Sequence, residues 1–149
     1  MPGVALTSYA TPGIVTVMRF YHATTAPLGE IREGLCVTDN PDAADTYLDG
    51  QTGRRYEINL PALHLLERAD EDDLAEAAQA CGMTEDDWMD WGGIFYAADQ
   101  DNVRAHLAAE GFHLVEYTDQ EQTSSDAHRT LRILDPSIVT AGAYQPVND

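Results

Sequence analysis

Between Glu67 and Asp90 the chain sets ten acids against one arginine, so 24 residues carry a charge of −9. That stretch reads as helix. Its apolar residues Leu74, Ala77, Ala78 and Cys81 recur at helical spacing. Its acids fall on a solvated face or in first turns, where carboxylates meet the positive end of the helix dipole. Asp70 caps the first helix and Gly82 stops it. Thr84-Glu85-Asp86-Asp87 opens a second, bearing Trp88 and Trp91, and Gly92-Gly93 breaks it. Asp99 is expected to cap a further helix that carries Val103 and Leu107 and ends at Gly111. Both tryptophans are expected to pack the helical region onto the sheet, with facing a partner as the alternative.

The flanking sequence has a different texture. Val17 to His22, Leu35 to Thr38 and Arg55 to Leu60 are short β-rich runs. Phe112 to Tyr117 and Thr130 to Leu134 follow the helices and read the same way. Asp39-Asn40-Pro41-Asp42 supplies an N-cap acceptor, a first-turn proline and a first-turn acid for a helix carrying Ala43, Ala44 and Tyr47. Five strands and about four helices in irregular alternation indicate an α+β fold, a compact sheet core with an acidic helical insertion over about residues 61–110. Residues 1–15, rich in Pro, Gly and Thr, read as a flexible leader, with Met18 as an alternative start. Residues 16–149 are then the length of a single domain.

Charge and motif content exclude several chemistries. The chain has 26 acids and 8 basic residues, all arginine, for a net charge of −18. Such a polyanion is repelled by nucleic acid and by anionic lipid, so neither is expected as a direct ligand. No run has the length of a membrane span or the pattern of a signal peptide. Cys36 and Cys81 form no CxxC pair and read as small buried hydrophobes, which fits a reduced, cytoplasmic setting. GxGxxG, GxxxxGK and GxSxG are absent, as are HExxH and any spaced Cys/His cluster. No metal site is therefore expected. The acidic insertion itself suits either a solvated face or a docking surface for a basic, nucleic-acid-binding protein, reached faster through opposite charge.

Three ordered segments carry a resemblance. Phe20-Tyr21-His22-Ala23-Thr24 is a strand ending in histidine and small residues. Gly34 to Tyr47 is a strand, a Thr38-Asp39-Asn40-Pro41 turn and a helix with a tyrosine one turn in. Gly111 to Glu121, closed by Arg132 to Ile138, is a late strand running into an acidic loop. In order and spacing, over about residues 18–140, these resemble the ADP-ribosyltransferase family. From residue 100 onward the likeness is greatest to the small phage-encoded members that act as anti-CRISPR proteins.

The resemblance implies a split β-sheet core and NAD as co-substrate. It implies that His22 hydrogen-bonds the ribose hydroxyls or the diphosphate side, with Thr24 beside it, and that Thr38 adds a hydroxyl near the nicotinamide ribose. Tyr47 would stack on the nicotinamide, and Tyr21 less directly. Arg19, with Arg32, Arg54 and Arg55, would offset the diphosphate charge. Breaking the nicotinamide–ribose bond builds positive charge on the ribose, which a carboxylate in a water-poor site stabilises. By resemblance that acid is Asp119, with Glu121 as the substitute. Gln120 stands at or next to a position where many relatives carry glutamate. The expected activity is mono-ADP-ribosylation of a protein, with the DNA-recognising subunit of a CRISPR surveillance complex as target. Two other readings stay open: a non-enzymatic acidic mimic of DNA, and an ADP-ribosylating toxin of a toxin–antitoxin pair.

Overall fold

The computed structural model describes residues 17–119 and 128–149, without the side chains of Asp119 and His128. Among these residues seven strands form one sheet: β1 Val17–Thr24, β2 Cys36–Thr38, β3 Gly53–Pro61, β4 Arg68–Ala69, β5 Leu114–Asp119, β6 His128–Ile133 and β7 Thr140–Val147. Their order is β4-β5-β6-β2-β1-β3-β7, antiparallel except for the parallel β4–β5 pair. Five helices accompany them: α1 Pro41–Thr46, α2 Glu71–Ala80, α3 Glu85–Met89, α4 Phe95–Ala98 and α5 Asp101–Ala109. The α+β expectation holds, and four of the helices lie within the expected helical stretch.

Alternation along the strands gives the sheet two buried faces. On β6, Leu131 and Ile133 join Phe20, Ile58, Leu60 and Leu114 in one apolar cluster, covered by Leu28, Leu35, Ile138 and Val139 from connecting segments. On the other face Val115 and Tyr117 pack against Leu74, Ala77 and Ala78 of α2, Ala97 and Ala98 of α4, and Val103 and Leu107 of α5. That second cluster binds the acidic helices to the sheet. Their carboxylates remain outside because only a narrow apolar stripe is buried.

The cap chemistry is largely as expected. Asn40 accepts from the amides of Asp42 and Ala43 at 2.9 and 3.3 Å to start α1. Asp70 and Asp73 form a reciprocal capping box at the start of α2, and at the start of α3 the Thr84 amide donates to the Asp87 carboxylate at 2.6 Å. Asp99 is a correction. It is the C-cap of α4, Gln100 is the N-cap of α5, and the Asp99 carboxylate turns to Arg132 instead. Two strands go beyond the expected five. β4 is only two residues long, and β7 is an edge strand whose first seven residues are all exposed. Gly53 opens β3 because a Cβ there would stand 2.6 Å from a Leu48 methyl and 2.7 Å from the Thr24 carbonyl oxygen.

The sheet is thinnest at one seam. β1 and β3 register over eight pairs, from Val17↔Pro61 to Thr24↔Arg54, whereas β1 and β2 register only at Tyr21↔Thr38.

Candidate functional site

The seam organises a site. Across four strands, the registers Tyr117↔Thr130, Thr130↔Thr38 and Thr38↔Tyr21 set one row of side chains over the sheet. The row two residues away joins Val115, Arg132 and Cys36 by the same pairing. Period-two alternation puts both rows on the helix-facing side, because the intervening Leu131 and Ile133 are committed to the opposite core. Helices α1 and α4 stand over these rows. Between them lies a cavity of about 300 Å³, walled by Tyr21, Tyr47, Phe95 and Tyr117 and given polar groups by His22, Thr38, Thr130, Arg132 and Asp99.

His22 sits at the seam. Its Nδ1 lies 2.7 Å from the Cys36 carbonyl oxygen, an acceptor only, so Nδ1 carries the proton and donates. The ring bond thereby links β1 to β2 next to their only registered pair. Burial lowers the His22 pKa from its ordinary 6.5, and the nearby Arg132 charge lowers it further against the opposing pull of the Cys36 carbonyl. The ring is neutral at pH 7, which leaves Nε2 as a hydrogen-bond acceptor.

Arg132 is the cation of the cavity. Its Nη2 pairs with Asp99 and lies 3.4 Å from the Tyr117 hydroxyl, and its Nη1 lies 3.4 Å from the Gly34 carbonyl oxygen. Burial works against the charge, but the Tyr117 hydroxyl that accepts from it and the Asp99 carboxylate support it, and the guanidinium stays protonated. Burial also pushes the Tyr117 phenol well above its ordinary value, keeping it neutral. Two polar atoms here, the Thr130 hydroxyl and the Arg132 Nε, are buried with no hydrogen-bond partner among the described residues. Thr38 is satisfied: its hydroxyl donates to the Arg129 carbonyl at 2.9 Å and accepts from the Asn40 amide at 3.3 Å.

The cavity thus brings together His22, Thr38 and Tyr47, three residues separated in sequence. Tyr47, the C-cap of α1, is 44% exposed and belongs to the cavity wall, not to the core. Its helix is tied down by Arg55, whose Nη1 meets Asp45 at 2.5 Å and whose guanidinium lies 6.0 Å from the Tyr21 ring. Thr24 and Arg19 are not part of the lining. The Thr24 hydroxyl accepts from the Ala26 amide at 3.2 Å, and Arg19 pairs with Glu57 at 3.6 Å. Asp119 ends β5 two positions beyond Tyr117, with its backbone paired to His128. Gln120 and Glu121 lie outside the described residues.

No protein-family model matches the chain, and no curated protein matches it. Among solved structures, one described as the crystal structure of an anti-CRISPR protein is similar. It aligns over 88% of this chain and 96% of its own, at 17% identity and a TM-score of 0.44. A likeness of that degree assigns no chemistry to the present chain.

Three polar residues of the cavity, Arg132, Asp99 and Thr130, escaped sequence reasoning, as did the walls Phe95 and Tyr117. A signal for Thr130 and Arg132 is present in Thr130-Leu131-Arg132-Ile133, where alternating polar residues on an otherwise apolar strand mark a face that is not simple core. Nothing in sequence links Asp99 to Arg132. Among the described residues no helix is long and apolar enough to cross a membrane, and no group of three or more His, Cys, Asp or Glu is placed to hold a metal.

Proposed function

We propose that the chain is a mono-ADP-ribosyltransferase, with NAD as the donor bound at the seam cavity. The observation that supports this reading is the convergence of His22, Thr38 and Tyr47 on one cavity. Its size is at the lower end of small-molecule pockets, about 300–1,000 Å³, and suits one half of a dinucleotide with the remainder outside. The lining suits the nicotinamide–ribose half. Aromatic walls match a flat ring, and neutral His22 offers an acceptor for a ribose hydroxyl.

NAD supplies a ribose carbon whose bond to nicotinamide breaks as a bond to the acceptor side chain forms, releasing nicotinamide and the acceptor's proton. The residues assigned here bind and orient the donor and exclude water. Asp119 is the proposed acid beside the ribose, with Glu121 as the substitute. The proposed acceptor is a basic, nucleic-acid-binding protein, with the DNA-recognising subunit of a CRISPR surveillance complex as the specific candidate. A new ADP-ribose there would place two phosphates where the subunit meets DNA, an electrostatic and steric block.

The test is nicotinamide release from NAD by the purified protein, then transfer of labelled NAD in a cell extract. Activity that disappears in Asp119→Ala and falls in His22→Ala is expected. Activity surviving both Asp119→Ala and Glu121→Ala refutes the assigned acid. No release, together with no thermal shift on adding NAD, refutes the enzyme and favours an acidic mimic of DNA.

A further inference from the structure

The most unusual surface lies away from the cavity, at the turn after α3. Trp88 and Trp91, both expected to pack inward, have opposite fates. Trp88 is 6% exposed and anchors the turn in the core, whereas Trp91 is 64% exposed and its neighbour Met89 58%. Backbone bonds hold the turn: the Trp91 and Gly93 amides both donate to the Trp88 carbonyl, at 3.1 and 3.0 Å. Gly92 and Gly93 take φ of 105° and 143°, values that favour glycine. One side of the Trp91 indole stacks on Tyr96, with centroids 5.4 Å apart and planes 12° apart. A depression of about 280 Å³ beside it is lined by Met83, Asp87, Asp90, Trp91, Tyr96 and Gln100 among others.

The charge around this face is one-sided. From Ala69 to Val103 the sequence holds 11 acids and no Arg, Lys or His. Asp99 and Asp101 are consumed by Arg132 and Arg104, but no ion pair reaches Asp86, Asp87 or Asp90 among the described residues. An exposed, pre-positioned aromatic pair beside unpaired carboxylates attracts a cation that also presents a flat face. Guanidinium meets both demands, since it stacks flat on indole and forks onto carboxylates, whereas ammonium reaches either only as a point charge. Nucleic acid and anionic lipid are repelled, and a second copy of this chain would bring a further −18.

We propose that the face formed by Trp91, Tyr96, Met89 and Asp90 docks an arginine-bearing basic segment of a partner protein. An arginine seats on the outer side of the Trp91 indole with its guanidinium toward Asp90, and Asp86 and Asp87 steer the approach. Buried Trp88 keeps the turn in place before binding, so little ordering is needed on contact. This docking does not depend on the NAD reading, and its test makes no use of turnover.

The test uses fluorescent oligo-arginine and oligo-lysine peptides of equal length, with anisotropy read at low and high salt against the full chain. Oligo-arginine should bind more tightly than oligo-lysine, and binding should weaken as salt rises. Trp91→Ala should weaken oligo-arginine binding about tenfold and Trp91→Phe about twofold to threefold, with melting lowered only by the lost stacking on Tyr96, since most of the side chain is exposed. Removing two charges in Asp86→Asn/Asp90→Asn should weaken it about fivefold, while removing two on α2 in Asp72→Asn/Glu76→Gln should change it less than twofold. Equal binding by Trp91→Ala and wild type overturns the proposal. So does an α2 double variant that weakens binding as much as the α3 one, since the chain would then be acting as a diffuse polyanion. Sedimentation showing a wild-type dimer that Trp91→Ala dissociates would also overturn it, making the face a self-interface.

Discussion

Asp99→Ala tests the tie between the acidic helices and the cavity. The substitution removes the carboxylate that pairs with Arg132, whose side chain is 15% exposed against 41% for Asp99. Breaking a fully buried pair costs about 3–5 kcal/mol and an exposed one about 0–1, so a pair with one end two-fifths exposed should cost about 2 kcal/mol. What remains to Arg132 is two long hydrogen bonds, to Tyr117 and Gly34, both at 3.4 Å. For a chain of this length about 2 kcal/mol lowers Tm by roughly 4–8 °C. The assay is thermal and urea unfolding of Asp99→Ala, Arg132→Met and the double variant. The single changes should be non-additive, with a coupling of about 1–2 kcal/mol, because in Arg132→Met the carboxylate no longer has a charge to satisfy. A coupling below about 0.5 kcal/mol, with Tm of Asp99→Ala within about 1 °C of wild type, would refute the reasoning and make the pair decorative.

Other consequences are equally direct. His22 has its pKa lowered in the fold, so below its ordinary value of 6.5 the unfolded chain takes up the proton first. Stability from this group is complete above about pH 6.5 and declines as pH falls below it; Tm measured from neutral pH to about pH 5 should fall less steeply in His22→Gln than in wild type. Thr130→Val replaces an unpartnered buried hydroxyl with a methyl, so Tm should hold or rise by about 2 °C; a fall of that size would show that the hydroxyl has a partner. Gly34→Ala puts a side chain at φ +91° and a Cβ 3.2 Å from the Arg104 guanidinium, where Arg104 meets Glu33. It should cost about 1–2 kcal/mol in urea unfolding, and an unchanged midpoint would refute the strain.

Much of this was legible because local chemistry decided it. Asn40, Asp70 and Thr84 cap helices in sequences that allow little else, and the alternation through Arg55 to Leu60 survives because β3 buries every second residue. The resemblance named His22, Thr38 and Tyr47 together; that they line one cavity has its physical route in the sheet order, with Thr38 paired to the residue before His22. What escaped is non-local or weakly buried. β7 contains Gly142 and Pro146 and leaves all but its last residue exposed, so it has almost no apolar alternation to reveal it. Asp99 looks like a helix start in sequence, and only the folded chain shows that Arg132 competes for its carboxylate. Trp91 differs from Trp88 by three positions on a helix that ends at Met89, so helical spacing no longer applies to it.

The seam at Tyr21↔Thr38 divides the sheet into β4-β5-β6-β2 and β1-β3-β7, each with longer pairings inside it. Mechanically this is a crease. A ladder of many bonds resists bending along its whole length, but here one registered pair and the His22 ring bond to Cys36 join the panels, above the apolar cluster they share. The cavity straddles the crease, with Tyr21 on one panel and Thr130, Arg132 and Tyr117 on the other. A molecule that fills it and touches both panels should act as a splint, which slower amide exchange in β1 and β2 on ligand binding would report and unchanged exchange would refute.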